Sequence, residues 1–161
     1  MRTLSTNSAV IAAFVNQSLP EARNPRDSVW FKGDKLYSYE SHLATINPNR
    51  TIFINNDLVG YSNTTSKHIA YLRNIAKDLQ IFTIPLDLTT DQTLDWLWDN
   101  VVKHIAKYLR ARTTRDYHKS VIKQTIHTIE SYVDYMQISK SNPTYLRKHD
   151  ITKQLFEHQI L

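Results

Sequence analysis

The chain contains no cysteine and only two glycines among its 161 residues. Without cysteine there can be no disulfide, no thiolate nucleophile and no cysteine-ligated zinc or iron–sulfur cluster, and such a composition suits a reducing compartment. Phosphate-cradling and dinucleotide-binding loops need several closely spaced glycines, because the backbone must adopt positive φ angles beside the ligand. Gly33 and Gly60 are too far apart for either loop. The sequence therefore disfavours P-loop nucleotide hydrolases and Rossmann dehydrogenases.

The sequence also lacks any long apolar run. Its N-terminal part has only a short apolar stretch, from Ala9 to Val15, without the cleavage pattern of a signal peptide. A membrane helix needs about 20 consecutive apolar residues, and no segment approaches that length. We therefore expect a cytoplasmic protein that does not contact a membrane. An apolar fraction of 41% and a length of 161 residues predict one folded domain, residues 1–161.

The order of the predicted elements indicates an α+β fold. Helical spacing over 8–17 is followed by a loop with two prolines, 20–28, and then by runs of β-branched and aromatic residues around Gly33 and Pro48. These runs predict a small antiparallel β-meander of four strands. The short apolar run QIFTIPL, 80–86, predicts a fifth strand.

Helical periodicity dominates the rest of the chain. Capping residues at 62–66 predict the start of a helix that packs on the meander. Further patterns predict helices at about 91–112, 114–138 and 150–159. The predicted apolar stripes of the two long helices are Leu94, Trp98, Val102, Ile105 and Leu109 in the first, and Ile122, Ile126, Ile129, Val133 and Met136 in the second. The prediction is thus an α/β-meander part, 1–88, followed by a C-terminal basic helical part, 89–161.

Positive charge is concentrated in the C-terminal part. Residues 1–100 carry nine Lys/Arg against ten Asp/Glu, whereas residues 101–161 carry eleven against five. Seven basic residues and one acid, Asp116, lie between positions 103 and 123. The seven are Lys103, Lys107, Arg110, Arg112, Arg115, Lys119 and Lys123. Such a ridge could follow a phosphate backbone, and the alternative is an ordinary solvated helix face.

A second candidate is the loop and helix start GYSNTTSKH, residues 60–68. The N-terminus of a helix offers free backbone N–H groups and a partial positive charge, which together favour an anion. Hydroxyl donors, one lysine and one histidine could add to that attraction. The predicted anion-binding residues are Thr64, Thr65, Ser66, Lys67 and His68. The alternative interpretation is that they are ordinary capping residues.

Other polar patterns have simpler interpretations. The acidic series Asp87, Asp91, Asp95 and Asp99 is best explained by the start of a helix, where the helix dipole favours carboxylates. No two of the seven histidines have the i,i+4 spacing that places two imidazoles on one helical face for zinc. The sequence therefore predicts no metal ligand, no cofactor and no catalytic residue.

Residues 35–73 contain an aromatic-Ser-Tyr strand in LYSYESHLATI, an apolar strand ending in Asn-x-Asp in TIFINND, and the helix start Thr-Thr-Ser-Lys-His. With these features the segment resembles a small domain of uncharacterised bacteriophage-encoded proteins. The resemblance covers under a third of the chain and implies no named activity. It implies a viral or prophage source, and hence the cytoplasm of a host cell, where small non-enzymatic proteins act on host nucleic-acid or defence machinery.

Three functions are compatible with these patterns. The first is a non-enzymatic phage protein that binds nucleic acid or a host nucleoprotein complex through the basic ridge, for example as a CRISPR inhibitor. The second is a protein–protein module, or a homodimer, whose ridge meets an acidic partner or whose Trp96 forms part of an exposed patch. The third is an enzyme on a phosphate-containing substrate that uses Thr65 to His68.

Overall fold

The computed structural model describes residues 1–160 and divides the chain into two compact units, Met1–Asp87 and Leu88–Leu161. The first unit contains a seven-stranded sheet with two helices, and the second contains four helices. The α+β class is therefore confirmed. The predicted division of the chain at 88/89 lies next to the observed boundary.

The sheet of the first unit has its strands in sequence order, β1 to β7. The strands are β1 (Arg2–Thr3), β2 (Glu21–Arg23), β3 (Val29–Lys32), β4 (Lys35–Ser38), β5 (Ser41–Ile46), β6 (Ile52–Asn55) and β7 (Ile81–Ile84). Strands β2 to β6 form an antiparallel meander, and the first and last pairs of strands are parallel. Parallel neighbours need a crossover. Helix α1 (Asn7–Asn16) and helix α2 (Asn63–Ile75) provide the two crossovers.

Local sequence explains the turns and helix starts of this unit. Gly33 has φ +61 at the first position of the two-residue β3–β4 turn, the position where a type II′ turn favours glycine. Thr6 and Ser62 cap α1 and α2 through side-chain oxygens that accept from the N–H groups of Ala9 and Thr65. The main core lies between the two helices and one face of the sheet, with Phe14, Phe31, Leu36, Ile54 and Leu72 at its centre.

The second unit is built on a helical hairpin of α3 (Thr90–Arg110) and α4 (Arg115–Met136). Thr89 and Gln92 form a capping box at the start of α3: the side chain of each residue accepts a hydrogen bond from the backbone N–H group of the other. The short helices α5 (Pro143–Leu146) and α6 (Lys148–Glu157) follow and contact α3. Trp98, Ile122 and Ile129 are fully or nearly fully buried in this unit.

Several sequence predictions differ from the structure in detail. Residues 20–28, predicted as a loop, include strand β2, and residues 2–3 form a strand that the sequence pattern does not indicate. The last helix begins at Lys148, not at Asp150. Leu109 and Met136 belong to the predicted apolar stripes but are exposed, because both lie at the C-terminal ends of their helices. None of the described helices combines the length and apolarity that crossing a membrane requires.

Candidate functional site

The seven basic residues of the predicted ridge lie together at the turn of the α3–α4 hairpin. Lys103, Lys107 and Arg110 lie in the last two turns of α3, and Arg112 lies in the connection. The first turns of α4 carry the other three, Arg115, Lys119 and Lys123. A connection of four residues, 111–114, makes the two helices antiparallel neighbours. All seven cations therefore lie at one end of the hairpin, and we call them the basic cluster.

The charge of the basic cluster is not neutralised within the protein. None of the seven side chains forms an ion pair with any carboxylate of residues 1–160. Arg110 and Arg115 donate through Nε to the carbonyl oxygens of Ala106 and Ala111, which are uncharged acceptors of the same helical segments. Six of the seven residues are exposed, and Lys119 is half-buried. The cluster thus presents several uncompensated cations to solvent.

Two histidines lie within the basic cluster, one on each helix. His104 Nδ1 and His118 Nδ1 are 3.1 Å apart, so one ring donates and the other accepts a single proton. Burial lowers the pKa of His104, and the charges of Lys107, His118 and Lys103 lower it further. A bound anion would act in the opposite direction and favour protonated His104. Sequence spacing did not indicate this pair, because the two residues meet only when the hairpin folds.

An exposed tyrosine extends the histidine pair. The Tyr117 ring centroid lies 5.2 Å from that of His118 and 6.5 Å from that of His104. Nearby, the guanidinium of Arg115 lies 5.5 Å from the centroid of the Tyr108 ring. Aromatic faces beside cations are the combination that supports stacking of unpaired bases next to a phosphate backbone. The hairpin end therefore offers both kinds of contact.

A polar cleft in the first unit contains part of the predicted anion-binding loop. Its volume is about 550 Å³, and its walls include the N-terminal ends of α1 and α2. Arg26 and Lys67 supply two cations, and neither forms an ion pair among residues 1–160. The remaining lining residues are Ser5, Asn7, Asn24, Pro25, Ser28, Tyr39 and Thr64. Two helix N-termini and two cations around one cavity favour an anionic ligand.

A buried amide fixes one wall of the cleft. Asn24 Nδ2 donates to Asn7 Oδ1 at 2.7 Å and to Ser28 Oγ at 2.6 Å, while Asn24 Oδ1 accepts from the Ser28 N–H at 2.9 Å. Only 4% of Asn24 is exposed. Hydrogen bonds in a buried setting hold the loop after β2 against the start of α1. The position of Arg26 therefore depends on a rigid support.

The structure separates the five predicted anion-binding residues into two groups. Thr64 and Lys67 line the cleft, and Ser66 is exposed outside its lining. Thr65 and His68 are buried instead, because they lie on the face of α2 that carries Ile69 and Leu72 into the core. Their side chains are therefore not available to an anion in solvent, and that part of the prediction is wrong.

The buried pair makes hydrogen bonds across the core. Ser38 Oγ lies 2.8 Å from His68 Nδ1 and 3.0 Å from Thr65 Oγ1. Burial lowers the pKa of His68, and its Nε2 has no hydrogen-bond partner among the described residues. A serine and a histidine enclosed in the core offer no access to a substrate. The pair instead fixes the packing of α2 on β4.

The acidic series has structural partners in the second unit. Arg147 donates to Asp95 Oδ1 at 3.3 Å and to Asp99 Oδ1 at 2.6 Å. Asn142 Nδ2 donates to Asp91 Oδ1 at 3.0 Å. These contacts connect α3 to the segments around α5. Asp91 lies in the first turn of α3, as the helix-start interpretation predicts, whereas the contacts of Asp95 and Asp99 with Arg147 were not predicted. The described residues contain no group of three or more His, Asp or Glu side chains able to hold a metal ion.

Comparison with known proteins shows that part of the chain is similar to a described family. A family of unknown function, DUF8033, has a family model that matches residues 5–79. This segment runs from the residue before the cap of α1 into the α2–β7 connection, so it contains every residue that lines the polar cleft. The basic cluster lies outside the match. No curated protein and no solved structure matches the chain.

Proposed function

We propose that the chain is a non-catalytic binding protein that engages the phosphate backbone of a nucleic acid, free or within a nucleoprotein complex. The binding surface is the basic cluster at the end of the α3–α4 hairpin. One observation carries the proposal: seven cations lie at one end of a hairpin, and none is paired with a carboxylate of the described chain. Clustered like charges repel one another, and a polyanion relieves that repulsion on binding.

The exposed Tyr117 ring supports nucleic acid over an acidic protein surface, because it could stack on an unpaired base. Phosphates would also stabilise the protonated form of His104, although carboxylates would do the same. The resemblance of residues 35–73 to phage-encoded domains favours host nucleic-acid or defence machinery as the target. Inhibition of a CRISPR complex is one form that this function could take.

Charge reversal tests the location of the binding surface. The variant carries Lys103→Glu, Lys107→Glu and Arg110→Glu, and the matched control carries Lys32→Glu, Lys77→Glu and Lys140→Glu, all exposed lysines. Both variants lower the formal net charge of +5 by six. Anisotropy of a short labelled duplex should show at least about tenfold weaker binding for the first variant than for the control.

Three results would count against the proposal. Equal losses in the two variants would assign binding to total charge, and no loss in either would remove the basic cluster as the binding surface. Pull-down from host lysate gives the third: a partner that survives nuclease treatment and still requires the three cluster residues would indicate an acidic protein.

We propose a small-anion site in the polar cleft as a second function. It is supported by Arg26 and Lys67 on the walls of one cavity that also receives two helix N-termini. Titration of inorganic phosphate into ¹⁵N-labelled protein should shift the amide resonances of residues 6–9 and 63–66. Arg26→Ala and Lys67→Ala should each weaken the effect, whereas Lys77→Ala, just beyond the C-terminal end of α2, should leave it unchanged. Shifts spread evenly over the surface would contradict a defined site.

A further inference from the structure

The two histidines within the basic cluster, His104 of α3 and His118 of α4, meet almost end to end. Their ring centroids are 5.3 Å apart, whereas the two Nδ1 atoms are only 3.1 Å apart. The Nδ1 atoms therefore face each other, and the two Nε2 atoms lie on the outer sides of the pair. An imidazole can carry a proton on either nitrogen, so the outer atoms are the ones left for a ligand.

Solvent reaches both outer nitrogens. The two rings are half-buried, and the described residues supply no hydrogen bond to either Nε2 atom. The polar side-chain atoms of residues 1–160 that are both enclosed and without a partner are His68 Nε2 and Trp98 Nε1, so neither Nε2 of the pair is enclosed. Each outer nitrogen is therefore open to a ligand that arrives at the end of the hairpin.

The hydrogen bond between the rings determines where the next proton binds. In the neutral pair, one ring donates its proton from Nδ1 and has a bare Nε2, while the other ring accepts at Nδ1 and carries its proton on Nε2. One proton from solvent can bind the bare Nε2 without breaking the bond between the rings. The pair then has one positive charge and two outward N–H donors. A further proton would set two Nδ1–H groups against each other, so uptake stops at one.

The surroundings of the pair oppose this proton until an anion binds. Burial lowers the pKa of His104 most, and the charges of Lys107, His118 and Lys103 lower it further. No carboxylate is among the charges that act on His104, and α5 and α6 contribute none. The other titratable neighbour is Tyr117 of α4, whose ring lies edge-on to both imidazoles. A phosphate beside the rings reverses the sign of the local field and favours the protonated pair.

We propose that His104 and His118 form a phosphate-binding subsite that takes up one proton when it is occupied. Phosphate oxygens accept hydrogen bonds from the two outward Nε2–H groups, and the added proton moves from solvent to the bare Nε2. The inference rests on the proposed function, because it describes how the same surface holds a backbone phosphate. It adds to the seven permanent cations two residues whose contribution depends on pH, whereas attraction by lysine and arginine alone does not change near neutral pH.

Anisotropy of a short labelled duplex at constant ionic strength tests the subsite. The wild-type protein should bind at least about threefold more tightly at pH 6 than at pH 8, because the bound phosphate favours the protonated pair. The double variant His104→Gln/His118→Gln keeps amide donors but cannot take up a proton, so its affinity should change much less. The matched control His127→Gln/His149→Gln replaces two exposed histidines outside the basic cluster and should keep the wild-type pH dependence.

Sulfate provides a second measurement that needs no nucleic acid, since it is a tetrahedral anion that stays fully ionised near neutral pH. Sodium sulfate in place of sodium chloride, at equal ionic strength and pH 7, should shift the ring ¹⁵N resonances of His104 and His118 toward the protonated form, and those of His127 and His149 much less.

The two measurements separate the subsite from the proposed function. Equal pH dependence of duplex binding in the two double variants would overturn the subsite and leave the proposed function intact. Duplex binding that is absent at every pH would overturn the proposed function, and the sulfate titration then decides the subsite alone. Sulfate shifts that are equal in all four histidines, or absent from the pair, would overturn it.

Discussion

At the scale of single residues, the contact between α2 and the sheet depends on three buried polar side chains. Ser38, Thr65 and His68 are at most 2% exposed, and Ser38 hydrogen-bonds to both of the others. Polar groups in a core stabilise a protein only when they are hydrogen-bonded to a partner. When one partner is removed, the desolvation cost of the remaining buried group is no longer compensated. This small network is therefore sensitive to substitutions that an exposed serine or threonine would tolerate.

Ser38→Ala should destabilise the protein by about 1–3 kcal/mol, because His68 Nδ1 then loses its partner inside the core. Urea unfolding monitored by circular dichroism measures the change. Ser66→Ala on the exposed face of α2 is the control and should change the free energy of unfolding by less than about 0.5 kcal/mol. Equal effects of the two substitutions would show that the Ser38 hydrogen bonds contribute nothing specific.

Stability should fall as the pH is lowered through 6.5. Burial lowers the pKa of His68 below the ordinary histidine value of about 6.5, so the unfolded chain takes up a proton at a pH where the folded chain does not. Each such proton costs up to about 1.4 kcal/mol per pH unit until the folded pKa is reached. His42 and His104, whose pKa values burial also lowers, contribute in the same direction.

His68→Asn keeps an amide near the position of Nδ1 but removes the titration. Its free energy of unfolding should therefore change less between pH 8 and pH 5.5 than that of the wild type, whatever its absolute stability. Ser66→Asn, at an exposed and non-titrating position of the same helix, should keep the wild-type pH profile. An unchanged slope in His68→Asn would show that His68 does not contribute to acid sensitivity.

The division of the Thr64–His68 run shows what sequence could and could not provide. The sequence shows residue types that are typical of a helix start, namely capping residues and a lysine, and Ser62 does cap α2. Which of the following side chains face inward depends on how the helix is rotated against the sheet. Ser38, the partner of both buried residues, lies 27 and 30 positions away in sequence. No local pattern indicates that contact.

At the scale of elements, α5 and α6 are held to α3 partly by one arginine. Arg147 bridges Asp95 and Asp99, which lie one turn apart on α3. All three side chains are substantially exposed, so solvent screens the attraction, and a contribution of about 1 kcal/mol or less is expected. The positive charge of Arg147 also offsets the electrostatic repulsion between the two carboxylates.

Arg147→Ala should lower the free energy of unfolding by up to about 1 kcal/mol at low ionic strength and by less in high salt. Amide hydrogen exchange should become faster in residues 143–157. Lys140→Ala, which removes an exposed cation of the same unit, is the control and should change neither measurement. Protection that is unchanged in Arg147→Ala would mean that apolar packing alone holds these helices.

Long periodic elements were easier to predict than short ones. The apolar stripe of α3 gives a strong helical pattern, and the observed helix spans Thr90–Arg110. Strands β1 and β2 contain two and three residues, which is too short for an alternating pattern to be recognised. Their existence depends on α1 returning the chain beside β1, which is a tertiary event. The parallel pairing of β6 with β7 has the same origin.

At the scale of the whole chain, positive charge is concentrated in the C-terminal part, and the sequence alone shows this uneven distribution. Residues 101–161 carry a net charge of +6, and the basic cluster supplies seven of their eleven cations. The sequence could not show that the helical hairpin brings these cations to one end, or that no described carboxylate pairs with them. Both facts depend on the folded structure.

Binding to duplex DNA should weaken steeply with salt. Each phosphate neutralised contributes about −0.9 to the slope of log K against log salt concentration, so engagement of the whole cluster predicts a slope of about −6. The variant with Lys103, Lys107 and Arg110 changed to glutamine should lose about 2.7 of that slope. Affinity that is independent of ionic strength, measured by the same anisotropy titration, would exclude phosphate contacts as the main attraction.

The two ends of the sheet have a consequence for self-association. A sheet that terminates in a long, flat strand is a template for further strands from other chains. Here one margin is the two-residue β1, which includes the charged Arg2, and the other is β7, which is followed immediately by Pro85. A short charged margin and a proline both discourage strand addition, so this sheet is poorly suited to seed amyloid or to recruit a β-strand from a neighbour.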